Sequence, residues 1–463
     1  MVRKITKLDN KELAQKDLTT LHPWDYLEYR GDSDRTFIEK SEGIYLYDHD
    51  GNKMIDGPGG MWNVNIGHGV NEIADAVHNQ MTKMSFASPF TESTEVRAVF
   101  AERLAEYAPG DLKRVFFTTG GSSAVDSALR FVMFFNNIRG TRNKKKIISR
   151  QDAYHGSTFL SASCSGKEKD KNNFDFAEDL VHHLSSPNPY RKNPNLSDEE
   201  FCDQVVKELE DKILELGAEN VAAFIAEPIL ASGGVIIPPK GYHQKTLEIC
   251  RKYDVIYISD EVVTAFGRLG HIFASKNYFD ITPDIIVSAK GITSGYVPCG
   301  VVMISEKLMA QLDYKEKAIF SNGFTDSGHP TAMAAANASL DFIERNNILE
   351  YVKGIGPYFQ ERLQELSDLP IVGNVRGEGL MAAVECVGNK DKKDPLNLSY
   401  EIGSRINEHC QKLGLIVRPL YSTCVMSPPL IISKIQIDDM VEILRKGILL
   451  ATEDIKKEGL WNS

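Results

Sequence analysis

From residue 115 to residue 305, short apolar runs rich in valine, isoleucine and phenylalanine alternate with longer stretches of helical period. A chain written this way lays its strands side by side in a mainly parallel sheet and crosses over them with helices, so the fold class is α/β. The expected strands are 115–119, 146–149, 221–226, 255–259, 285–288 and 301–304, with the clearest helices at 122–136, 199–216 and 241–253. Residues 167–194 show little periodicity and read as a long surface loop. Before residue 60 the chain reads as non-helical, with a strand pair at 44–48 and 53–56 turned by Asp50-Gly51-Asn52. After residue 330 helices are expected at 331–346 and 348–366, strands near Val375, Ile416 and Val425 and at 381–386, and a last helix at 437–456. The expected organisation is a large domain, 61–330, and a small α+β domain built from both termini, 1–60 and 331–463.

A chain of 463 residues with 42% hydrophobic side chains can bury a large core. Its formal charge of -11 argues against nucleic acid or an anionic membrane surface as a partner, since both attract basic patches. Small molecules are the expected partners. No run approaches the ~18 apolar residues of a spanning helix, and the first residues are charged where a signal peptide would be greasy, so the expected location is cytoplasmic. Seven cysteines stand singly, without a CxxC pair or nearby histidines, and neither a disulfide framework nor a metal site is expected.

In an open α/β sheet ligands bind beyond the carboxyl ends of the strands, so the residues that follow each strand carry most of the information. The first strand runs through Gly120-Gly121-Ser122-Ser123 straight into a helix, where glycines and free N–H groups suit a phosphate. The second is followed by Tyr154-His155-Gly156, which could stack a flat heterocycle. Two further strands end in carboxylates, Glu227-Pro228 and Asp260-Glu261-Val262, and the next ends in Ala289-Lys290-Gly291. Taken singly, each has an ordinary reading: a tight turn, a packed loop, a helix cap, a solvated lysine. Together they supply what pyridoxal phosphate needs, namely a lysine to hold it, a carboxylate to keep its pyridine nitrogen protonated and a cradle for its phosphate. A nicotinamide site, the other reading of a glycine turn on such a sheet, lacks its GxGxxG and its following acid.

The combination resembles the class III aminotransferases of pyridoxal-phosphate fold type I, which have a seven-stranded sheet in the large domain. The resemblance rests on Gly57-Pro58-Gly59-Gly60-Met61-Trp62, Gly67-His68-Gly69, Tyr154-His155-Gly156, Glu227-Pro228-Ile229, Asp260-Glu261-Val262, Phe266-Gly267-Arg268, Ser288-Ala289-Lys290-Gly291, the run from Thr325 to Pro330, and Arg418-Pro419. It implies that Lys290 binds the cofactor covalently and that Asp260 pairs with the pyridine nitrogen. It further implies that Tyr154 and Val262 sandwich the ring, that Gly121 and Ser122 hold the phosphate, and that Glu227 sits near the cofactor hydroxyl. Thr325 is implied to reach the phosphate from a neighbouring subunit, which makes the chain a homodimer with shared active sites, or a homotetramer. Many relatives carry an acid where this chain has Ser123.

Within the class, the ω-amino acid and amine:pyruvate aminotransferases are most similar, on Trp24, Trp62 and an arginine matching Arg418. The implied reaction moves an amino group from an amine or ω-amino acid to a keto acid, with pyruvate expected and 2-oxoglutarate the alternative. Arg418 would clamp the keto-acid carboxylate and swing aside for an amine that lacks one. A class III mutase or racemase would use the same lysine and aspartate. A non-catalytic protein that kept the fold is disfavoured by the intact Lys290 and Asp260.

Overall fold

Seven strands make the central sheet of the computed structural model, which describes residues 8–25, 35–312, 318–397 and 400–461. They are β1 (Arg114–Thr118), β2 (Lys146–Arg150), β3 (Val181–Leu184), β4 (Val221–Ala226), β5 (Ile256–Asp260), β6 (Ile285–Ser288) and β7 (Gly300–Ile304), in the spatial order β1-β7-β6-β5-β4-β2-β3. The pairs from β6 through β5, β4 and β2 to β3 are all parallel. Only β7 is reversed, lying antiparallel to both β6 and β1. The carboxyl ends of β1, β2, β4, β5 and β6 and the amino end of β7 therefore meet along one edge.

The central strands read as unbroken apolar runs because both faces of the sheet are covered. All residues of β4, β5, β6 and β7 are buried. Alternate side chains serve different cores: Ile285, Val287 and Val302 pack with one face, Ile286, Val301 and Met303 with the other. On the first face lies α1 (Gly121–Ile138), whose Ala124, Val125, Ala128, Leu129, Val132 and Phe135 recur at helical spacing and are buried against the sheet. Because α1 starts directly after β1, the sheet fixes where its first turn points.

Two smaller sheets flank this one. Strands Ile38–Glu42, Tyr45–Asp48 and Lys53–Asp56 form an antiparallel set that Leu415–Ile416 joins in parallel, so residues from near both ends of the chain share one sheet. The other contains Val372–Glu378, Met381–Asn389, Thr423–Met426 and, at its edge, Arg418–Leu420.

The structure corrects the sequence reading in several places. The segment expected to be a loop at 167–194 contains β3 and two short 3-10 turns, Glu168–Lys171 and Pro189–Arg191. Its sequence Val-His-His-Leu hides the strand, because an edge strand paired on one side only needs no continuous apolar run. The N-terminal stretch is not wholly non-helical, since Asn10–Asp17 forms a helix closed by a capping box between Asp9 and Glu12. Helices Asn71–Lys83 and Glu95–Tyr107 were not marked by the periodicity either. Among the described residues no helix is long and apolar enough to cross a membrane.

Candidate active site

A cavity of about 320 Å³ opens at the edge where the strand ends converge. Gly121, Ser122, Tyr154, Glu227, Asp260, Val262 and Lys290 all line it. They come from the last residue of, or the first few residues beyond, five strands, which is why residues far apart in sequence share one wall.

Asp260 closes β5 and is buried at 4% exposure. It is held at both oxygens: Oδ2 lies 2.7 Å from Nδ1 of the buried His155, and Oδ1 accepts the Val262 N–H at 3.1 Å. His155 can stand there because Gly156 (φ +141°) lets the chain pass against Ser122 and Ser161, where a Cβ would come within 2.4 Å of Ser161 Oγ. Glu227, just beyond β4, accepts the N–H groups of Tyr154 at 2.9 Å and Ala231 at 3.0 Å. Burial pushes its carboxyl above the usual range, with His155 opposing and Asp260 adding to the rise. Glu261, by contrast, turns away and caps the short helix at Ala274–Asn277 through the N–H groups of Ala274 and Ser275.

Lys290 follows β6 in a left-handed backbone conformation, φ 43°. For a residue with a Cβ this costs about 1–3 kcal/mol and is held by its surroundings. Gly291 helps to hold it, since a Cβ there would overlap Asn65 Nδ2 at 2.3 Å. Desolvation lowers the Lys290 ammonium pKa below its usual value, with Asp260 and Glu227 pulling the other way. Its Nζ stands 6.0 Å from the centre of the Trp62 ring. The guanidinium of Arg418 lies 4.8 Å from the same ring, with Nη1 on the Met61 sulfur, and its buried Nε has no hydrogen-bond partner. Burial lowers the Arg418 pKa as well, with Tyr154 opposing. Trp24 is exposed, and its ring centre is 6.0 Å from that of Tyr154.

At the other end of the cavity the first turn of α1 has no side-chain cap. Ser122 Oγ accepts the Ser157 N–H at 3.0 Å, tying the turn to the loop that carries Tyr154. Ser123 folds back so that Oγ donates to the Gly120 carbonyl at 2.9 Å. Beside Gly120 there is open space: a Cβ would meet nothing within 4 Å.

The structure thus brings Lys290, Asp260, Gly121, Ser122, Tyr154, Glu227, Val262, Trp62 and Arg418 to one place, with Trp24 at its margin. Thr325 is exposed and does not line this cavity. Sequence reasoning assigned no task to His155, although it lay inside a motif already marked. It also passed over Pro298 and Cys299. Those two stand at the amino end of β7, and only the reversal of that strand places them at this edge.

Uncapped N–H donors beside open space, a lysine whose charge is disfavoured by burial, and a buried acid locked to an imidazole fit pyridoxal phosphate, and fold and cavity together define an enzyme of fold type I that depends on it. Residues 28–448 match the family described as Aminotransferase class-III, and the chain belongs to that family. A putrescine–pyruvate aminotransferase of Pseudomonas aeruginosa is 41% identical over 411 residues, 88% of this chain and 89% of the relative. A mitochondrial gamma-aminobutyrate transaminase of Oryza sativa subsp. indica is 40% identical over 422 residues, 90% of this chain and 81% of the relative. Among solved structures, a thermostable (S)-enantioselective omega-transaminase from Thermomicrobium roseum superposes with a TM-score of 0.91 at 37% identity, over 96% of this chain and 98% of the other.

Proposed function

We propose that this aminotransferase takes the amino group of a primary amine or ω-amino acid and delivers it to pyruvate. The observation that carries the reading is Arg418. Its guanidinium lies on the Trp62 ring beside Lys290, and among the described residues no carboxylate of the chain pairs with it. A half-buried cation without a counter-charge is well placed to take one from a ligand, and a keto acid brings a carboxylate that a planar fork can hold at two points. The putrescine–pyruvate and gamma-aminobutyrate relatives support the same donor class.

Pyridoxal phosphate, when bound, supplies an electron sink and a temporary carrier for the amino group. Lys290 would hold it, and its free amine would be the group that takes and returns the substrate's proton. Desolvation favours the neutral amine that this task requires. Asp260 holds the proton on the ring nitrogen, and His155 fixes the orientation of that carboxylate. Tyr154 and Val262 flank the ring, Glu227 faces its hydroxyl, and Gly121 and Ser122 hold the phosphate. Trp24 and Trp62 wall the substrate space and favour an apolar or extended amine. Thr325 serves the phosphate site of a second subunit, so the working unit is a homodimer with shared active sites, or a tetramer of two such dimers. We place the enzyme in the cytoplasm and divide the chain into a large domain at 61–330 and a small domain from 1–60 and 331–463.

Arg418→Ala is expected to reduce kcat/KM for pyruvate by about 10²-fold, the weight of a lost charge-assisted pair, while the half-reaction with a simple amine changes by less than about threefold. Equal losses in the two half-reactions would sink the assignment. An amine panel run with pyruvate and with 2-oxoglutarate, read as alanine or glutamate formed, decides the acceptor. A mutase or racemase would release no stoichiometric carbonyl product from amine alone.

A further inference from the structure

We propose that Arg150 is a positioning residue that holds, from behind, the turn presenting Glu227 to the cavity. Arg150 is the last residue of β2 and is fully buried. Its Nη2 donates to the backbone carbonyl of Glu227 at 2.7 Å, while Nε and Nη1 have no hydrogen-bond partner. Among the described residues no carboxylate forms an ion pair with it. Besides that carbonyl, the guanidinium has the Tyr242 ring, whose centre is 5.8 Å away, as a neighbour, and its charge reaches Glu227 and His243.

The next carbonyl along the same turn is held in the same manner. Pro228 O lies 2.9 Å from His243 Nε2, and His243 Nδ1 lies 2.9 Å from the Tyr257 hydroxyl. Burial, with Arg150 adding to it, pushes His243 down to about 3. The ring is therefore neutral at working pH, with Nε2–H donating to Pro228 and Nδ1 accepting from Tyr257. Two consecutive carbonyls are thus gripped from β2 and from helix Tyr242–Lys252, while the Glu227 carboxylate is gripped in front by the N–H groups of Tyr154 and Ala231. The turn has little freedom left.

The charge has a second effect. The groups that face Glu227 are His155, Asp260, Lys290, Tyr154 and Arg150. Burial and Asp260 favour the protonated carboxyl, whereas His155 and Arg150 favour the carboxylate. Removing Arg150 takes away one of these opposing influences and leaves His155, which Asp260 already engages, and the Tyr154 N–H. The balance at Glu227 then tips further toward the protonated carboxyl.

The inference rests on the reading that Glu227 faces the cofactor, and Glu227→Gln serves as its separate control. In the cofactor-loaded enzyme, the pH midpoint of the cofactor absorbance should move by about one unit in Arg150→Met, the effect of one nearby charge, and by a similar amount in Glu227→Gln. Arg150→Lys, which keeps the charge, should restore the midpoint. The kcat of Arg150→Met should fall about tenfold, with the KM for keto acid within about twofold, as expected when a catalytic contact is lost rather than uniform binding. If Glu227→Gln moves the midpoint and a folded Arg150→Met does not, this proposal fails alone. If neither moves it, the reading of Glu227 fails as well. Should Arg150→Met be insoluble, His243→Gln and Arg150→Lys carry the test through kcat: each should lower it about threefold, because each disturbs the grip on the turn, and native values in both would overturn the proposal.

Discussion

Replacing Lys290 by alanine is expected to lower the rate of the amine half-reaction by at least about 10³-fold, within the roughly 10²–10⁴ that a positioned acid–base group contributes. The loss follows from two tasks on one side chain. Lys290 projects into the cavity from a left-handed turn after β6, and among the described residues no other lysine lines that cavity. Without it the cofactor is held only by its phosphate and ring contacts, and no amine stands ready to carry the proton. Borohydride treatment followed by intact-mass measurement should add the cofactor mass to the native chain and not to the variant. A variant that still gains the mass would place the attachment elsewhere. The same side chain sets a pH dependence. A protonated lysine accepts no proton, so the native rate should decline as the pH falls through the Lys290 pKa, and burial places that decline below the usual lysine range. Lys290→Arg, always protonated, should be inactive at every pH.

Asp260→Asn is expected to reduce turnover by about 10²–10³-fold while leaving the fold intact. A carboxylate against the ring nitrogen raises that nitrogen's pKa by about 1–3 units, and each unit is worth about 1.4 kcal/mol. The amide keeps the shape and loses the charge. It also removes the charge assistance from the bond to His155, whose Nε2 is buried without a partner and offers no second anchor. Rapid-mixing measurement of the single half-reaction, alongside a thermal melt of the cofactor-free protein, separates the two consequences. A large fall in melting temperature with a native half-reaction rate would show that Asp260 serves structure alone.

The cofactor site was readable in the sequence because it is built by one rule repeated five times: an apolar strand, then a polar residue where the strand stops. The rule worked for Gly121, Tyr154, Glu227, Asp260 and Lys290, since the parallel arrangement puts every such stop at one edge. It failed for Pro298 and Cys299, where the strand must be read from its beginning, because period-2 patterning carries no direction. β3 escaped notice because two histidines interrupt its apolar pattern. The pairing of His155 with Asp260 joins a loop residue beyond β2 to the last residue of β5, and no local pattern announces a contact between side chains so far apart in the chain. Arg150 was invisible for the same reason. In the sequence it is a polar residue at a strand end, and only the fold shows that it is buried.

Lys290 and Arg418 meet across one indole ring but are carried by different sheets, the first by the central sheet and the second by the edge strand at Arg418–Leu420. The machinery that handles the proton and the fork that recognises the substrate are therefore separately mounted. Leu420 and Val425 of the 418–426 hairpin pack in one apolar cluster with Trp62, Ile229 and Val263, so repacking there reaches Arg418 and the residues just beyond β4 and β5 together. An engineer who wishes to change the substrate would therefore vary that hairpin first and check the central cavity after each change.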